Sequence, residues 1–147
     1  SSFDRVIRLY KVGASSFCEN ISKSPAVMND GYKKEDGDTI EVEAKCFSNF
    51  DNGDIDVLSI DIEGGEWDVI KEMESRPKFI SIETHSRNYV NPNLEKITNW
   101  LESNNYKIWF VDDTDTIFVK KNLIKLNILL RAKVLVHSYR FFNNRLK

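Results

Sequence analysis

The sequence is poor in the residues that build metal and redox sites. It contains only two cysteines and two histidines among 147 residues. Cys18 and Cys46 are too far apart for a Cys-x-x-Cys motif, and two histidines cannot complete a convincing zinc site with them. We therefore expect no metal site of this kind, and free thiols in a reducing cytoplasm.

Long hydrophobic runs are also absent. The most apolar stretch, from Leu126 to Val136, is interrupted by Arg131 and Lys133 and falls short of the roughly 20 residues that span a bilayer. Residues 1–8 alternate polar and apolar side chains, unlike the apolar part of a secretory signal. We predict neither a transmembrane helix nor a signal peptide.

Acidic residues are missing from the end of the chain. The last is Asp115, and from Lys120 onward there are eight Lys or Arg residues, so residues 1–119 carry 13 basic against 23 acidic side chains. The formal net charge of −2 gives no general affinity for nucleic acid. Residues 123–147 predict a basic C-terminal helix. Such a helix either covers the sheet or docks on an anionic membrane surface or an acidic partner.

With 41% hydrophobic residues, the chain has enough apolar material for one compact core. The β-prone run from Val6 to Tyr10 predicts a strand. Residues 15–38 are mostly polar and predict a loop with at most one short helix. Thr39 to Lys45 alternates β-formers with charged residues, which predicts a strand with one wet face at an edge or rim.

A strand, a glycine turn, a helix and a second strand are predicted next. The run from Ile55 to Ile62 is almost continuously apolar, which indicates a central parallel strand covered on both faces. Gly64 and Gly65 break this strand, and a helical repeat then continues to Arg76-Pro77. The segment Lys78–Glu83 predicts a second parallel strand, after a connection long enough for a right-handed crossover.

The remaining chain predicts a helix and a hairpin. Asn91-Pro92 is typical of an N-cap followed by proline at the first helical position, and Asn104-Asn105 closes that helix. Tyr106–Val111 and Thr116–Lys120 flank an acidic turn, which predicts an antiparallel hairpin. The predicted fold class is therefore α/β: residues 1–122 form a doubly wound sheet with parallel central strands and a C-terminal hairpin, followed by the terminal helix.

The most informative stretch runs from Asp61 to Trp67 and reads Asp-Ile-Glu-Gly-Gly-Glu-Trp. It places three carboxylates at the carboxyl end of a buried strand, where open α/β sheets bind ligands. Strand alternation would direct Asp61 and Glu63 to one side, and glycines let a ligand approach the backbone. Glu66 would lie near the positive end of the helix dipole. Acids also favour helix N-termini without any ligand, so an ordinary helix start is the alternative.

This order of residues resembles the FkbM-type methyltransferases. The match runs from Ile55 to Glu66 and from Phe79 to His85, and the hairpin from Tyr106 to Lys120 fits the antiparallel end of that fold. The resemblance covers residues 39–120. It implies a partial Rossmann-like class I methyltransferase fold and transfer of a methyl group from S-adenosyl-L-methionine to an oxygen, usually a hydroxyl of a sugar or other natural product.

The resemblance also implies roles for individual residues. Asp61, Glu63, Gly64 and Glu66 would bind the cofactor. His85 is the candidate base that takes the hydroxyl proton, with Asp61 and Glu83 as alternatives or orienting groups. A lone histidine after a strand is also a common structural residue.

Two departures from the family pattern matter. Ser59 stands where members commonly have Lys, and the Asp-x-Gly-x-x-x-Gly turn that meets the methionine part of the cofactor is absent. We therefore expect this chain to lack the N-terminal cofactor loop and the strand before it. The bared edge of the strand at Ile55 would then be covered by the strand at Val6, by the strand at Thr39 or by a second copy in a homo-oligomer.

Two other functions stay open. Asp61, Glu63 and Glu66 could act as oxygen ligands of Mg²⁺ in a phosphoryl-transfer enzyme, although no P-loop supports this hypothesis. Alternatively, the chain is a binding or assembly module without activity of its own.

Overall fold

The computed structural model describes residues 5–12, 15–18, 24–33, 38–123 and 132, which form a mixed α/β arrangement of two sheets and three α-helices. The elements are β1 (Arg5–Val12), β2 (Ser15–Cys18), α1 (Pro25–Asp30), β3 (Asp38–Ala44), a 3₁₀ turn (Phe47–Asn49), β4 (Val57–Ile60), α2 (Glu66–Glu72), β5 (Phe79–Glu83), α3 (Leu94–Ser103), β6 (Tyr106–Val111) and β7 (Asp115–Lys120). The predicted terminal helix and the domain boundary before it lie outside the described residues, apart from Leu123 and Ala132, and stay predictions.

The first sheet contains three antiparallel strands in the order β2-β1-β3. β1 and β3 confirm the strands predicted at Val6 and Thr39, and β3 lies at an edge of its sheet as expected. β2 was not predicted, because Phe17 is its only large apolar residue and the segment becomes a strand by pairing with β1. Helix α1 is the short helix that the sequence allowed between residues 15 and 38.

The second sheet contains four strands in the order β4-β5-β7-β6. β4 and β5 are parallel, with Val57 opposite Phe79 and Ile60 opposite Ile82, and α2 connects them along the chain. β7 pairs antiparallel with both β5 and β6. The predicted parallel pair and the predicted hairpin are therefore both confirmed.

The strand predicted from Ile55 to Ile62, which is β4 in the structure, was expected at the centre of the sheet. This prediction is wrong for the described part of the chain. β4 has four residues and lies at the end of its sheet, where Val57 is 67% exposed. Neither the strand at Val6 nor the strand at Thr39 covers its open edge, because both belong to the other sheet. A continuous apolar run indicates that a segment is hydrophobic, but it does not determine which strands pair with it. Strand pairing depends on segments that are distant in the sequence. Coverage by a second copy stays a prediction.

The main core lies between the four-stranded sheet and helices α2 and α3. Ile80 and Ile82 of β5 are fully buried with Ile70 of α2 and Ile97 of α3. Burial of side chains of this size contributes roughly 1.5–3 kcal/mol each. This packing fixes the carboxyl ends of β4 and β5 beside the first turn of α2.

Helix α3 begins later than predicted. Its N-cap is Asn93 and its first residue is Leu94, whereas the side chain of Asn91, the predicted cap, makes other contacts. The helix ends at Asn104 as expected. It has ten residues, and none of the described helices is both long and apolar enough to cross a membrane.

Helix α2 ends earlier than predicted, at Glu72 rather than at Arg76-Pro77. Asp51 explains this end, because its Oδ2 accepts hydrogen bonds from the backbone N–H groups of Glu74 and Ser75, each over 2.8 Å. The segment after α2 is thereby bound to the loop before β4.

Candidate active site

A tight turn follows β4 and carries the predicted site residues. Gly65 N donates a hydrogen bond to Ile62 O over 3.2 Å, and both Glu63 and Gly64 have positive φ angles, of 56° and 97°. This backbone conformation suits glycine, whereas it costs a residue such as glutamate on the order of 1–3 kcal/mol. The alternation that was expected to direct Asp61 and Glu63 to one side therefore ends with the strand.

Glu66, the first residue of α2, holds this turn together. Its side chain is 0% exposed, and Oε1 accepts hydrogen bonds from Ile62 N (3.2 Å) and Gly64 N (3.0 Å). Oε2 accepts a hydrogen bond from Asn91 Nδ2 over 2.5 Å. Glu66, which was predicted to contact the cofactor, thus stabilises the turn, and its side chain is fully buried.

Helix α1 bridges the carboxyl ends of β4 and β5. At its N-terminus, Ala26 N donates a hydrogen bond to Glu63 Oε2 over 3.1 Å. Near its C-terminus, Asn29 Nδ2 donates to Ser86 Oγ (2.6 Å), and Asn29 Oδ1 accepts from Asn88 N (3.1 Å). The turn after β4 and the loop after β5 are therefore joined through one short helix.

Glu83 is the last residue of β5 and only 8% exposed. Its Oε2 atom is buried without a hydrogen-bond partner among the described residues. Burial raises the pKa of Glu83 from its ordinary value of 4.5 to about 8, and the negative charges of Asp61, Glu63, Glu66 and Asp115 add to the rise. Glu83 is therefore protonated at neutral pH.

Tyr89 was not predicted as a site residue. Its side chain is 2% exposed, and its hydroxyl is buried without a hydrogen-bond partner in the described part of the chain. Burial raises the pKa of Tyr89, and the charges of Glu66, Glu83 and Glu63 raise it further. The charges of Glu63 and Glu66 thus act on Tyr89 as they do on Glu83. No local pattern marks Tyr89 in the sequence, because its position depends on the fold of the loop after β5.

His85 lies two residues beyond Glu83, half-buried, and forms an isolated β-bridge with Val90. Its Nδ1 atom is 2.8 Å from Thr84 Oγ1, which is itself 2.7 Å from Thr116 Oγ1. These contacts orient the imidazole ring from the buried side.

The structure thus brings four of the predicted residues together. Asp61, Glu63 and Glu66 lie close enough to Glu83 for their charges to act on it, and we call these four residues the acidic cluster. Asp61 is exposed, Glu63 is half-buried and the other two are buried. The predicted site therefore surrounds Glu83 at the carboxyl ends of β4 and β5.

Within the described residues, no group of three or more His, Cys, Asp or Glu side chains is arranged to hold a metal ion. Glu63 and Glu66 instead accept hydrogen bonds from N–H groups of the chain. The magnesium hypothesis gains no support from this geometry.

The fold is α/β, and the acidic cluster lies at the carboxyl ends of two parallel strands, the edge at which open α/β sheets generally bind ligands. The family model of the Methyltransferase FkbM domain matches residues 5–108, more than half of the chain, and the chain belongs to this family. The match includes β1, β2 and β3, so the resemblance begins earlier than residue 39. No curated protein and no solved structure matches the chain significantly.

Proposed function

We propose that this domain serves in the transfer of a methyl group from S-adenosyl-L-methionine to a hydroxyl of a sugar or other natural product. Family membership supports the methyl-transfer chemistry. The acidic cluster supports the location, because ligands of α/β sheets bind where parallel strands end. The unit β4-α2-β5, two parallel strands joined by a helix, supports a Rossmann-like class I arrangement.

The residues of the site fit the charge of this cofactor. Its sulfonium and ammonium groups are cationic, and the acidic cluster is a negatively charged neighbourhood in which Glu83 Oε2 lacks a partner. Asp61 and Glu63 would hold the cofactor, whereas Gly64 and Glu66 would shape the turn beside it. When bound, S-adenosyl-L-methionine supplies the electrophilic methyl group.

The hydroxyl that accepts the methyl group must lose a proton. Asp61 is the exposed candidate for the base, and His85 is the second, with its ring oriented by Thr84. Glu83 is protonated at neutral pH because its pKa is raised to about 8, so it can accept a proton only in more alkaline solution. We therefore place the base at Asp61 or His85.

The observation that carries this proposal is that the charges of Asp61, Glu63 and Glu66 act on buried Glu83 at the carboxyl ends of two parallel strands in an FkbM-family domain. Calorimetry with S-adenosylhomocysteine tests it. Because the Asp-x-Gly-x-x-x-Gly turn is absent from this sequence, we expect binding by a version extended at its N-terminus with that cofactor loop. In the extended version, Asp61→Asn should bind about tenfold more weakly because a charge-assisted contact is lost. Asp54→Asn is the matched control, because Asp54 is exposed and precedes the first residue of β4, at the end of the strand away from the acidic cluster. An extended version that gives no heat of binding would contradict the proposal.

A second function, that of an assembly module, has one observation in its favour. The outer edge of β4 is unpaired among the described strands, and exposed apolar edges invite pairing with another chain. Self-association through this edge does not exclude methyl transfer.

A further inference from the structure

Two buried polar atoms in the site have no hydrogen-bond partner among the described residues: Glu83 Oε2 and Tyr89 Oη. Both side chains are more than nine-tenths buried. Buried polar groups in proteins are nearly always paired, and each unpaired one destabilises the fold. Two such groups, both acted on by the charges of Glu63 and Glu66, indicate a place where a ligand completes the hydrogen bonding.

The charged side chains that act on these two residues are all acidic. Glu83 is acted on by Asp61 after β4, Glu63 in the turn, Glu66 on α2 and Asp115 on β7. Tyr89, in the loop after β5, is acted on by two of these residues, Glu63 and Glu66, and by Glu83 as well. Glu63 and Glu66 already accept hydrogen bonds from N–H groups of the chain, so Glu83 is the member of the acidic cluster with a buried oxygen left to satisfy.

The chemistry that complements this arrangement is that of a protonated amine. A carboxylate oxygen and a phenol oxygen both accept hydrogen bonds, and an ammonium group offers three N–H donors together with a positive charge. A neutral hydroxyl offers one donor and no charge, and an anion would be repelled. We infer that Glu83 and Tyr89 form a subsite for a protonated amino group of a ligand. The identity of that ligand rests on the proposed function.

Two sources of the amine fit: the amino-acid end of the cofactor, or an amino group on the methyl acceptor, as in an amino sugar. In either case Glu83 must give up its proton to the solvent when the ammonium group arrives. Below about pH 8, one proton therefore leaves for each amine bound, and the affinity rises with pH.

Calorimetry near pH 7, in two buffers of different ionisation enthalpy, measures this proton release. The ligands are S-adenosylhomocysteine, glucosamine and, as the control without an amine, glucose. For wild type we expect about one proton released with at least one amine and none with glucose. Glu83→Gln should abolish the release and weaken amine binding at least tenfold. Tyr89→Phe should weaken binding a few-fold and keep the release, and Glu102→Gln, an exposed change on α3, should behave as wild type.

The ligand that releases the proton identifies the source of the amine. Release by glucosamine, with no binding of S-adenosylhomocysteine even by the version extended with the cofactor loop, would support the subsite and contradict the methyltransferase proposal. Binding of S-adenosylhomocysteine without release, together with no release by glucosamine, would overturn the subsite and leave methyl transfer standing. If circular dichroism shows that Glu83→Gln does not fold, unchanged amine affinity in Tyr89→Phe would overturn the subsite.

Discussion

Asn91 Nδ2 donates a hydrogen bond to Glu66 Oε2 over 2.5 Å, and both side chains are buried. The same amide nitrogen lies 3.4 Å from Glu83 O. This contact joins the loop after β5 to the first residue of α2. It therefore fixes the position of the turn after β4 relative to the loop after β5.

Asn91→Ala should destabilise the protein by about 2 kcal/mol, because it leaves a buried oxygen of Glu66 unpaired. Urea unfolding measures the change. Asn99→Ala is the matched control on the exposed surface of α3, and it should change the free energy of unfolding by less than about 0.5 kcal/mol. Equal effects of the two substitutions would show that the contact contributes little.

The stability of the wild-type protein should fall between about pH 5 and pH 8 because of Glu83. The folded chain keeps its proton up to a pKa of about 8, whereas the unfolded chain loses it near 4.5. Between these values the unfolded state binds fewer protons, so stability decreases as the pH rises, by a total on the order of 3 kcal/mol.

Glu83→Gln should flatten this decrease, because glutamine does not titrate. Urea unfolding at several pH values tests the difference, with Glu102→Gln as the exposed control that should follow the wild-type curve. A Glu83→Gln curve with the wild-type slope would show that another group is responsible.

Asp51→Asn should destabilise the protein by about 2–3 kcal/mol at neutral pH, because an amide would place N–H donors against the N–H groups that now surround the carboxylate. Burial by itself would raise the pKa of Asp51, but hydrogen bonds from Ser75, Gly53 and Glu74 outweigh it and lower the pKa. The stability that Asp51 contributes is therefore present above its ordinary pKa of 3.8 and is lost as the pH falls through the lower, folded value. Thermal unfolding of Asp51→Asn should lack this acid-side loss, and Asp54→Asn should retain it.

Self-association, if it uses the open edge of β4, should depend on Val57. A lysine on an edge strand discourages pairing with another chain, so Val57→Lys should lower the sedimentation coefficient measured at high protein concentration. Ile108→Lys, at a similarly exposed position on β6 at the opposite end of the sheet, is the control. Loss of association in the control alone would place the contact on β6.

The sequence was sufficient for elements whose pattern is local. The apolar run before Asp61, the glycine turn and the charged hairpin turn each determine their own conformation, and all three were predicted. β2 was not, because Ser15–Cys18 has almost no pattern of its own and forms a strand by pairing with β1. The edge position of β4 escaped prediction for the same reason: strand neighbours are set by long-range contacts.

The same distinction applies to the site. Asp61 and Glu63 were predicted from their place at the carboxyl end of a strand, whereas Glu83 was predicted through the resemblance to the FkbM-type methyltransferases. Tyr89 was missed, since nothing in its neighbourhood signals burial. Asn91 was misassigned as a helix cap because Asn-Pro is typical of that position, whereas its side chain bonds to Glu66, 25 residues earlier. Partnerships between loops cannot be inferred from spacing.

Helix α1 is part of the site. A chain trimmed to begin at β3 would leave Glu63 without the amide of Ala26 and the loop after β5 without Asn29. Such a deletion would remove no member of the acidic cluster, but it would remove α1, which connects the turn after β4 to the loop after β5. Truncation experiments on this protein should therefore retain α1, because a shortened chain could lose activity through a displaced loop while every carboxylate is still present.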